Sequence, residues 1–114
     1  MQKPTRADWF NAVLCGFHSN GSSQSPDTIL GCKIANGNDD YPPLPADLHD
    51  YRYWSGGSEA DREAADDEFL AGMYACVDHL PLLKRQVARR RCRLYHRAVR
   101  EFGHRFWRHR GNTT

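Results

Sequence analysis

Residues 45–70 read PADLHDYRYWSGGSEADREAADDEFL, and this stretch predicts two helices joined by a tight turn. The first helix covers about 45–54, because a proline is tolerated at the first helical position, where its missing N–H is no loss. The glycines of SGGS then indicate a turn. Ser58 with Asp61 resembles a capping box, which predicts that the second helix covers about 59–78. Because the connection is short, the two helices are expected to pack as an antiparallel pair.

The rest of the chain extends the helical pattern on both sides of this pair. A short helix is predicted over about 5–14, and a long one over about 81–103. The apolar positions of the long helix recur at helical spacing, and they predict its packed face. They are Leu83, Val87, Leu94, Ala98, Val99 and Phe102. No segment alternates apolar and polar residues in the way typical of a strand, so the predicted fold class is all-α.

Residues 15–45 lack helical periodicity and predict a long loop, rich in glycine, proline, serine and asparagine. Loops of this length within small domains are usually functional or disordered. The scattered apolar residues Phe17, Ile29, Leu30 and Ile34 indicate that this loop is tied to the core.

The chain has 114 residues, of which 39% are hydrophobic and 26% charged, as expected of one globular domain over 1–114. No apolar stretch has the length of a transmembrane helix. Residues 1–17 contain no long apolar run and no small-residue cleavage site, so no secretory signal is expected. A whole gene product of this kind is expected to start in the cytoplasm, and its final compartment stays unknown.

The cysteines are Cys15, Cys32, Cys76 and Cys92, and no two have the C-x-x-C spacing of a zinc ribbon. Four cysteines allow three disulfide pairings, among which the sequence does not choose. Reduced, partly buried thiols are at least as well supported where no secretory signal is present.

The formal net charge of +2 conceals an uneven distribution. Residues 1–83 carry a net of −8, whereas residues 84–114 carry a net of +10. The basic end has three interpretations: a solvated face that balances the acidic half, a face for an anionic membrane surface, or a face for nucleic acid, although no nucleic-acid reader motif is present. The residues expected to face a membrane lie near one stripe: Arg89, Arg93, Arg97 and Arg100.

A polar cluster is predicted between the first two helices of the quoted stretch. Residues three and four apart share a helix face, so His49, Asp50 and Tyr53 can point into one space. Asp66 is the polar member of an otherwise apolar stripe on the next helix, where a carboxylate must be hydrogen-bonded or paired. An aspartate that fixes the tautomer of a histidine is a usual way to build a general base. Alternatively, Asp66 pairs with Arg52 or a C-terminal arginine, or a shift of helix phase exchanges it with its neighbour Asp67.

The ordered motifs of the chain resemble the secretory phospholipase A2 superfamily. His49, Asp50 and Tyr53 form the pattern H-D-x-x-Y, which is the active-site signature of that superfamily. The context YWSGGSEADREAADDEF resembles its bacterial members, which read approximately HD-x-x-YW-x-GG before a polar stretch and an Ala-Asp step. GFHSNGSSQSPD resembles their upstream loop, and YHRAVREFGHRFW resembles the end of related bacterial and phage proteins. The resemblance covers about residues 15–107.

This resemblance implies a small helical domain that hydrolyses phospholipid acyl esters with the help of calcium. It implies that His49 takes a proton from the attacking water, and that Tyr53 and Asp66 orient its ring. Asp50 would hold the calcium ion together with backbone carbonyls of the 16–22 loop. The loop residues concerned are Gly16, His18, Asn20 and Gly21. The ion would polarise the ester carbonyl and stabilise the oxyanion.

The chain departs from the superfamily at positions that bear on disulfides and on calcium. Pro45 and Ala46 stand where a cysteine pair usually precedes the signature, and Asn20 and Ser22 stand where bacterial relatives tend to have aspartate and cysteine. With one evident carboxylate, calcium binding is predicted to be weak, with a dissociation constant of about 10⁻⁴–10⁻³ M. The alternative function is a non-catalytic bacterial or phage interaction module on the same scaffold, which binds nucleic acid or an anionic surface through the basic helix.

Overall fold

The computed structural model describes residues 2–17, 27–36 and 40–108. Within them the chain is mostly helical, with a small two-stranded sheet. The helices are α1 (Arg6–Leu14), α2 (Pro45–Ser55), α3 (Glu59–Val77) and α4 (Leu82–Phe102), followed by a short 3₁₀ turn (Gly103–Arg105). The strands are β1 (Thr28–Ile29) and β2 (Cys32–Lys33).

The helix boundaries agree with the sequence prediction to within one residue, and the reason is local chemistry. Thr5 and Asp8 form a capping box at the start of α1, and Ser58 and Asp61 form another at the start of α3. Each box satisfies backbone N–H groups that have no partner inside the helix. Pro45 occupies the first turn of α2, as expected.

Helices α2 and α3 pack as the predicted antiparallel pair. Pro45, at the start of α2, lies against Gly72 near the end of α3. Tyr53, near the end of α2, reaches Asp66, which lies earlier in α3. Residue numbers therefore rise along one helix as they fall along the other, and the inner faces of the two helices are held together.

The prediction that the chain contains no strands was wrong, because β1 and β2 form an antiparallel hairpin inside the predicted loop. Each strand has two residues, which is too short for an alternating pattern to be visible. The turn between them places Leu30 and Gly31 at positive φ, as a two-residue hairpin turn requires.

The described part of the long loop is tied to the core, as predicted. Phe17, Ile29 and Ile34 are buried, whereas Leu30 is partly exposed at the hairpin turn. The backbone continues the attachment, since the carbonyl of Ile34 accepts the N–H of Ala46 at 2.9 Å. This bond fixes the loop to the beginning of α2.

The predicted packed face of α4 was wrong at most positions. The buried residues of α4 are Ala88, Cys92 and Val99, of which the prediction included only Val99. The exposed ones are Leu83, Val87, Leu94 and Phe102, with 49–78% of their surface accessible. Both sets recur at helical spacing, so periodicity alone does not choose between them. Short side chains face inward because α4 packs closely on α3, in one cluster with Phe69, Met73 and Val77.

All four cysteines are free thiols. Cys92 is fully buried in the core between α3 and α4, and this burial raises the pKa of its thiol to about 11. Such a thiol is protonated at neutral pH and packs as a small apolar group.

Among the described residues, no helix combines the length and the apolar content that a membrane span requires.

We expect Ser58→Ala to lower the free energy of unfolding by about 1 kcal/mol, because the Asp61 N–H at the start of α3 loses its acceptor. Ser58→Asp keeps an acceptor oxygen and should retain most of the stability. Urea unfolding followed by circular dichroism measures both variants. Equal losses from the two would show that the cap does not stabilise α3.

Candidate functional site

The fully buried carboxylate of Asp66 is the centre of a polar cluster between α2 and α3. Its Oδ1 atom lies 2.8 Å from Nε2 of His49 and accepts a hydrogen bond of 2.7 Å from the hydroxyl of Tyr53. His49 and Tyr53 are themselves buried. The structure thus brings together His49, Tyr53 and Asp66, three of the four residues, with Asp50, that the sequence predicted to lie close to one another.

The helical phase of α3 decides which of two adjacent aspartates enters the cluster. Asp66 lies on the inner face of α3, in line with the buried Phe69 and Met73. Asp67 is exposed and makes contacts with His96 and Arg100 on the side of α4. The exchange of the two aspartates that a phase shift would cause therefore does not occur.

The second oxygen of Asp66 is held by two arginines. Nη1 of Arg62, one turn earlier on α3, lies 3.4 Å from Oδ2, and Nε of Arg100 on α4 lies 3.2 Å from it. The alternative pairing with a C-terminal arginine is thus present in addition to the pairing with His49. Arg52, the other alternative partner, pairs instead with Glu68.

The pKa values of the cluster follow from burial and from these hydrogen bonds. Burial by itself raises the pKa of Asp66, but hydrogen bonds from His49, Tyr53 and Arg100 together with the charge of His49 bring it below its ordinary value. Burial, and then the hydrogen bond to Asp66, raise the pKa of Tyr53. At neutral pH the cluster therefore contains an ionised carboxylate and a neutral phenol.

The hydrogen bond to Asp66 determines which nitrogen of His49 can act as a base. An ionised carboxylate only accepts hydrogen bonds, so Nε2 of His49 carries the hydrogen that it donates. The lone pair of the neutral ring is then on Nδ1. A buried imidazole in this tautomer can take a proton at Nδ1, and the carboxylate of Asp66 stabilises the imidazolium that forms.

Aromatic packing holds the imidazole in place. The ring of His49 stacks on Phe69 with centroids 4.7 Å apart, and it contacts the ring of Tyr53 in a tilted arrangement with centroids 4.3 Å apart. Trp107 meets Tyr53 edge-on at 5.0 Å and donates its indole N–H to the carbonyl of Gly57. The segment after α4 therefore closes the end of the cluster near the α2–α3 turn.

The expected calcium ligands are only partly within the described residues. Asp50 is half-buried on α2 beside His49, and Gly16 is exposed at the end of α1. Phe17, next to Gly16, packs against the rings of Tyr51 and Trp54, so the start of the loop lies along α2. His18, Asn20 and Gly21 lie outside the described residues. Within residues 2–17, 27–36 and 40–108, no group of three or more histidine, cysteine, aspartate or glutamate side chains is arranged to hold a metal ion.

Three of the four arginines predicted to form a membrane-facing stripe make ion pairs within the described part of the chain. Arg89 pairs with Asp78 at 3.3 Å and lies over the ring of Tyr74, while Arg97 pairs with Glu101 at 3.2 Å. Arg100 is directed toward Asp66 and Asp67. Of the four, only Arg93 makes no ion pair or hydrogen bond with the described part of the chain. Arg89, Arg93 and Arg97 are exposed, as the predicted stripe requires, whereas Arg100 turns toward α3. Binding of a membrane by this stripe stays a prediction.

No family model, curated protein or solved structure matches this chain.

Sequence reasoning did not assign four residues that complete the cluster: Arg62, Phe69, Gly103 and Trp107. Arg62 carried a usable signal, since it lies four residues before Asp66 and shares its helix face. The contacts of Gly103 and Trp107 gave no such signal, because they join the two ends of the α2–α4 region. They depend on how the chain returns after α4.

We expect Asp66→Asn to lower the free energy of unfolding by about 3–5 kcal/mol at neutral pH, because Arg62 and Arg100 lose their buried counter-charge. The pKa of Asp66 is lowered in the folded state, so its stabilisation is complete above about pH 4 and is lost as the pH falls through the lowered value. The difference between wild type and variant should therefore shrink in acid. Urea unfolding at several pH values measures it.

The matched control is Asp67→Asn, which changes an exposed carboxylate that also contacts Arg100. It should cost at most about 1 kcal/mol. Equal losses from the two variants at neutral pH would contradict the central role of Asp66.

We expect Gly103→Ala to disturb the cluster, because a Cβ at residue 103 would collide with the hydroxyl of Tyr53. The backbone of Gly103 is helical, with φ of −70°, so alanine introduces no backbone strain there. The loss should be about 1–3 kcal/mol in the wild type and smaller in a Tyr53→Phe background, where the hydroxyl is absent. A double-mutant cycle of unfolding free energies measures the difference, and strict additivity would refute the contact.

Proposed function

We propose that the protein is a calcium-dependent hydrolase of phospholipid acyl esters, of the phospholipase A2 type. The observation that carries the proposal is the hydrogen bond of 2.8 Å between Nε2 of His49 and the buried carboxylate of Asp66. The H-D-x-x-Y signature and the antiparallel packing of α2 on α3 support it. The small helical domain, with a long loop before α2, is consistent with the fold that this superfamily resemblance implies.

His49 is the general base in the proposed reaction. Nδ1 accepts a proton from a water molecule as that water attacks the acyl carbonyl, and the ring becomes positively charged. Asp66 stabilises this charge through Nε2. Tyr53 donates to the same carboxylate oxygen and thus holds the carboxylate in line with the ring. His49 then returns the proton to the leaving alcohol.

Arg62 and Arg100 act as positioning residues in this proposal. Both arginines meet Asp66 at Oδ2, whereas His49 meets it at Oδ1. Each oxygen of the carboxylate therefore has its own partners. Their charges keep the buried carboxylate ionised when His49 is neutral. To activate water, the ring of His49 must be neutral before the reaction, and the carboxylate of Asp66 must be ionised when the ring becomes positively charged.

Calcium would be held by Asp50, with loop carbonyls as further ligands. Asp50 lies next to His49 on α2, and oxygen donors of this kind are those that calcium prefers. The bound ion would polarise the ester carbonyl. We expect calcium to bind weakly, because Asp50 is the one carboxylate that would supply negative charge to the ion.

The alternative function is a non-catalytic interaction module that binds nucleic acid or an anionic surface through α4. The specific observation in its favour is the double arginine contact to Asp66, because a carboxylate satisfied in this way also serves a purely structural role. The two functions differ in one measurable property, which is calcium-dependent turnover of a phospholipid.

We expect the wild type to hydrolyse phosphatidylglycerol vesicles in millimolar calcium and to lose this activity in excess chelator. His49→Gln should lower turnover by at least about 10²-fold while circular dichroism stays unchanged. His96→Gln is the matched control, since His96 also bonds an aspartate, at 2.9 Å, but lies at the surface. Release of free fatty acid is the measurement.

Asp50→Asn should abolish the calcium response, and calorimetry should show that its calcium heat is lost. Turnover that persists in folded His49→Gln would exclude the proposed base. A folded wild type without any calcium-dependent turnover would favour the interaction module.

A further inference from the structure

Helix α4 presents an apolar row to the outside of the molecule. Leu83, Val87 and Leu94 are 78%, 49% and 56% exposed. Their spacing places them on one side of the helix, away from the buried Ala88 and Cys92. These three residues are defined here as the α4 row. Val87 and Leu94 are two turns apart, and large apolar side chains exposed along one side of an arginine-rich helix are typical of a face that lies against an apolar partner.

Positive charges border the α4 row along both edges. By helical geometry Arg90 and Arg97 lie on one side of it, and Lys84 and Arg91 lie on the other. Lys84, Arg90 and Arg91 are exposed and form no hydrogen bond or ion pair with any residue that the structure describes. Unlike Arg100, these side chains remain available to an external partner.

The apolar row and the basic residues on both sides of it together indicate the chemistry of the partner. A second copy of α4 would set two arginine-rich faces against each other, and Glu101 is the sole acidic residue of the helix. Nucleic acid would satisfy the basic side chains but would leave the apolar row without an apolar partner. An anionic bilayer satisfies both, because its acyl boundary receives the row while long basic side chains reach the phosphates.

We infer that α4 is a docking helix that lies in the interface of an anionic phospholipid membrane. The α4 row enters the boundary between headgroups and acyl chains, and Lys84, Arg90 and Arg91 bind headgroup phosphates. This inference rests on the proposed function for its purpose, since it brings the hydrolase to its substrate. The inference concerns only the binding of the protein to a membrane, so it can be tested without measuring hydrolysis.

The test is co-sedimentation with vesicles of mixed phosphatidylglycerol and phosphatidylcholine, compared with pure phosphatidylcholine, in chelator so that calcium has no part. The wild type should bind the anionic vesicles at least about tenfold more tightly, and added salt should weaken this binding. Leu83→Gln/Leu94→Gln should reduce binding by about tenfold or more. Arg90→Gln/Arg91→Gln should reduce binding to the anionic vesicles while leaving the weak binding to neutral ones unchanged.

Leu14→Gln is the matched control, because Leu14 is an equally exposed leucine, at 85%, on a different helix. It should bind as the wild type does. Equal losses from Leu14→Gln and the α4 double variant would overturn the inference. So would equal binding to both kinds of vesicle, tighter binding to duplex DNA, or self-association that the Leu83/Leu94 variant abolishes in ultracentrifugation.

The outcomes separate this inference from the hydrolase proposal. Vesicle binding through α4 without calcium-dependent turnover would overturn the proposed function and keep the docking helix. Turnover that survives the α4 substitutions, together with unchanged vesicle binding, would keep the proposed function and overturn the docking helix.

Discussion

The buried carboxylate of Asp66 is the constraint on which the rest of the structure depends. An ionised group removed from water is strongly destabilising unless charges or hydrogen-bond donors surround it. Here the donors come from three helices: His49 and Tyr53 on α2, Arg62 on α3 and Arg100 on α4. No buried polar side-chain atom among the described residues is left without a hydrogen-bond partner. The requirement to satisfy one carboxylate therefore constrains which faces of the three helices meet.

The need to satisfy the carboxylate of Asp66 links the stability of the fold to the geometry of the candidate site. The oxygen of Asp66 that meets His49 orients the ring and selects its tautomer, while the hydrogen bonds from His49, Tyr53 and Arg100 lower the pKa of Asp66 and keep the carboxylate ionised. A network that is fully satisfied is rigid, and rigidity is what a positioned base needs. The rigidity that stabilises the cluster would also serve the proposed general base, so the same geometry suits either a catalytic or a structural role.

The two faces of helix α4 differ in side-chain size. Ala88 and Cys92 permit a close approach to α3 and bring Arg100 within reach of Asp66. The longer apolar side chains point away from the core, among exposed basic residues such as Lys84, Arg90 and Arg91. The helix that completes the polar cluster therefore also exposes Leu83, Val87 and Leu94, and both properties follow from the way α4 packs on α3.

Local signals in the sequence determined the four helices, their caps and the shared face of His49 and Tyr53. These features depend on residues within one or two turns, such as Ser58 with Asp61, and such contacts form wherever the chain is helical. The burial of Asp66 was also visible, because its helix stripe is otherwise apolar. Helical periodicity, however, gave two equivalent faces for α4, and strands of two residues left no pattern to detect.

Tertiary structure alone decided the partners that lie far apart in the chain. It brought Arg100 to Asp66, set Gly103 against Tyr53 and turned Leu83 outward. Each of these outcomes depends on the distance between two helices, which is set by the volumes that fill the space between them rather than by the sequence of either helix. The sequence therefore determined the elements and the residues available to the cluster, and packing determined which of them meet.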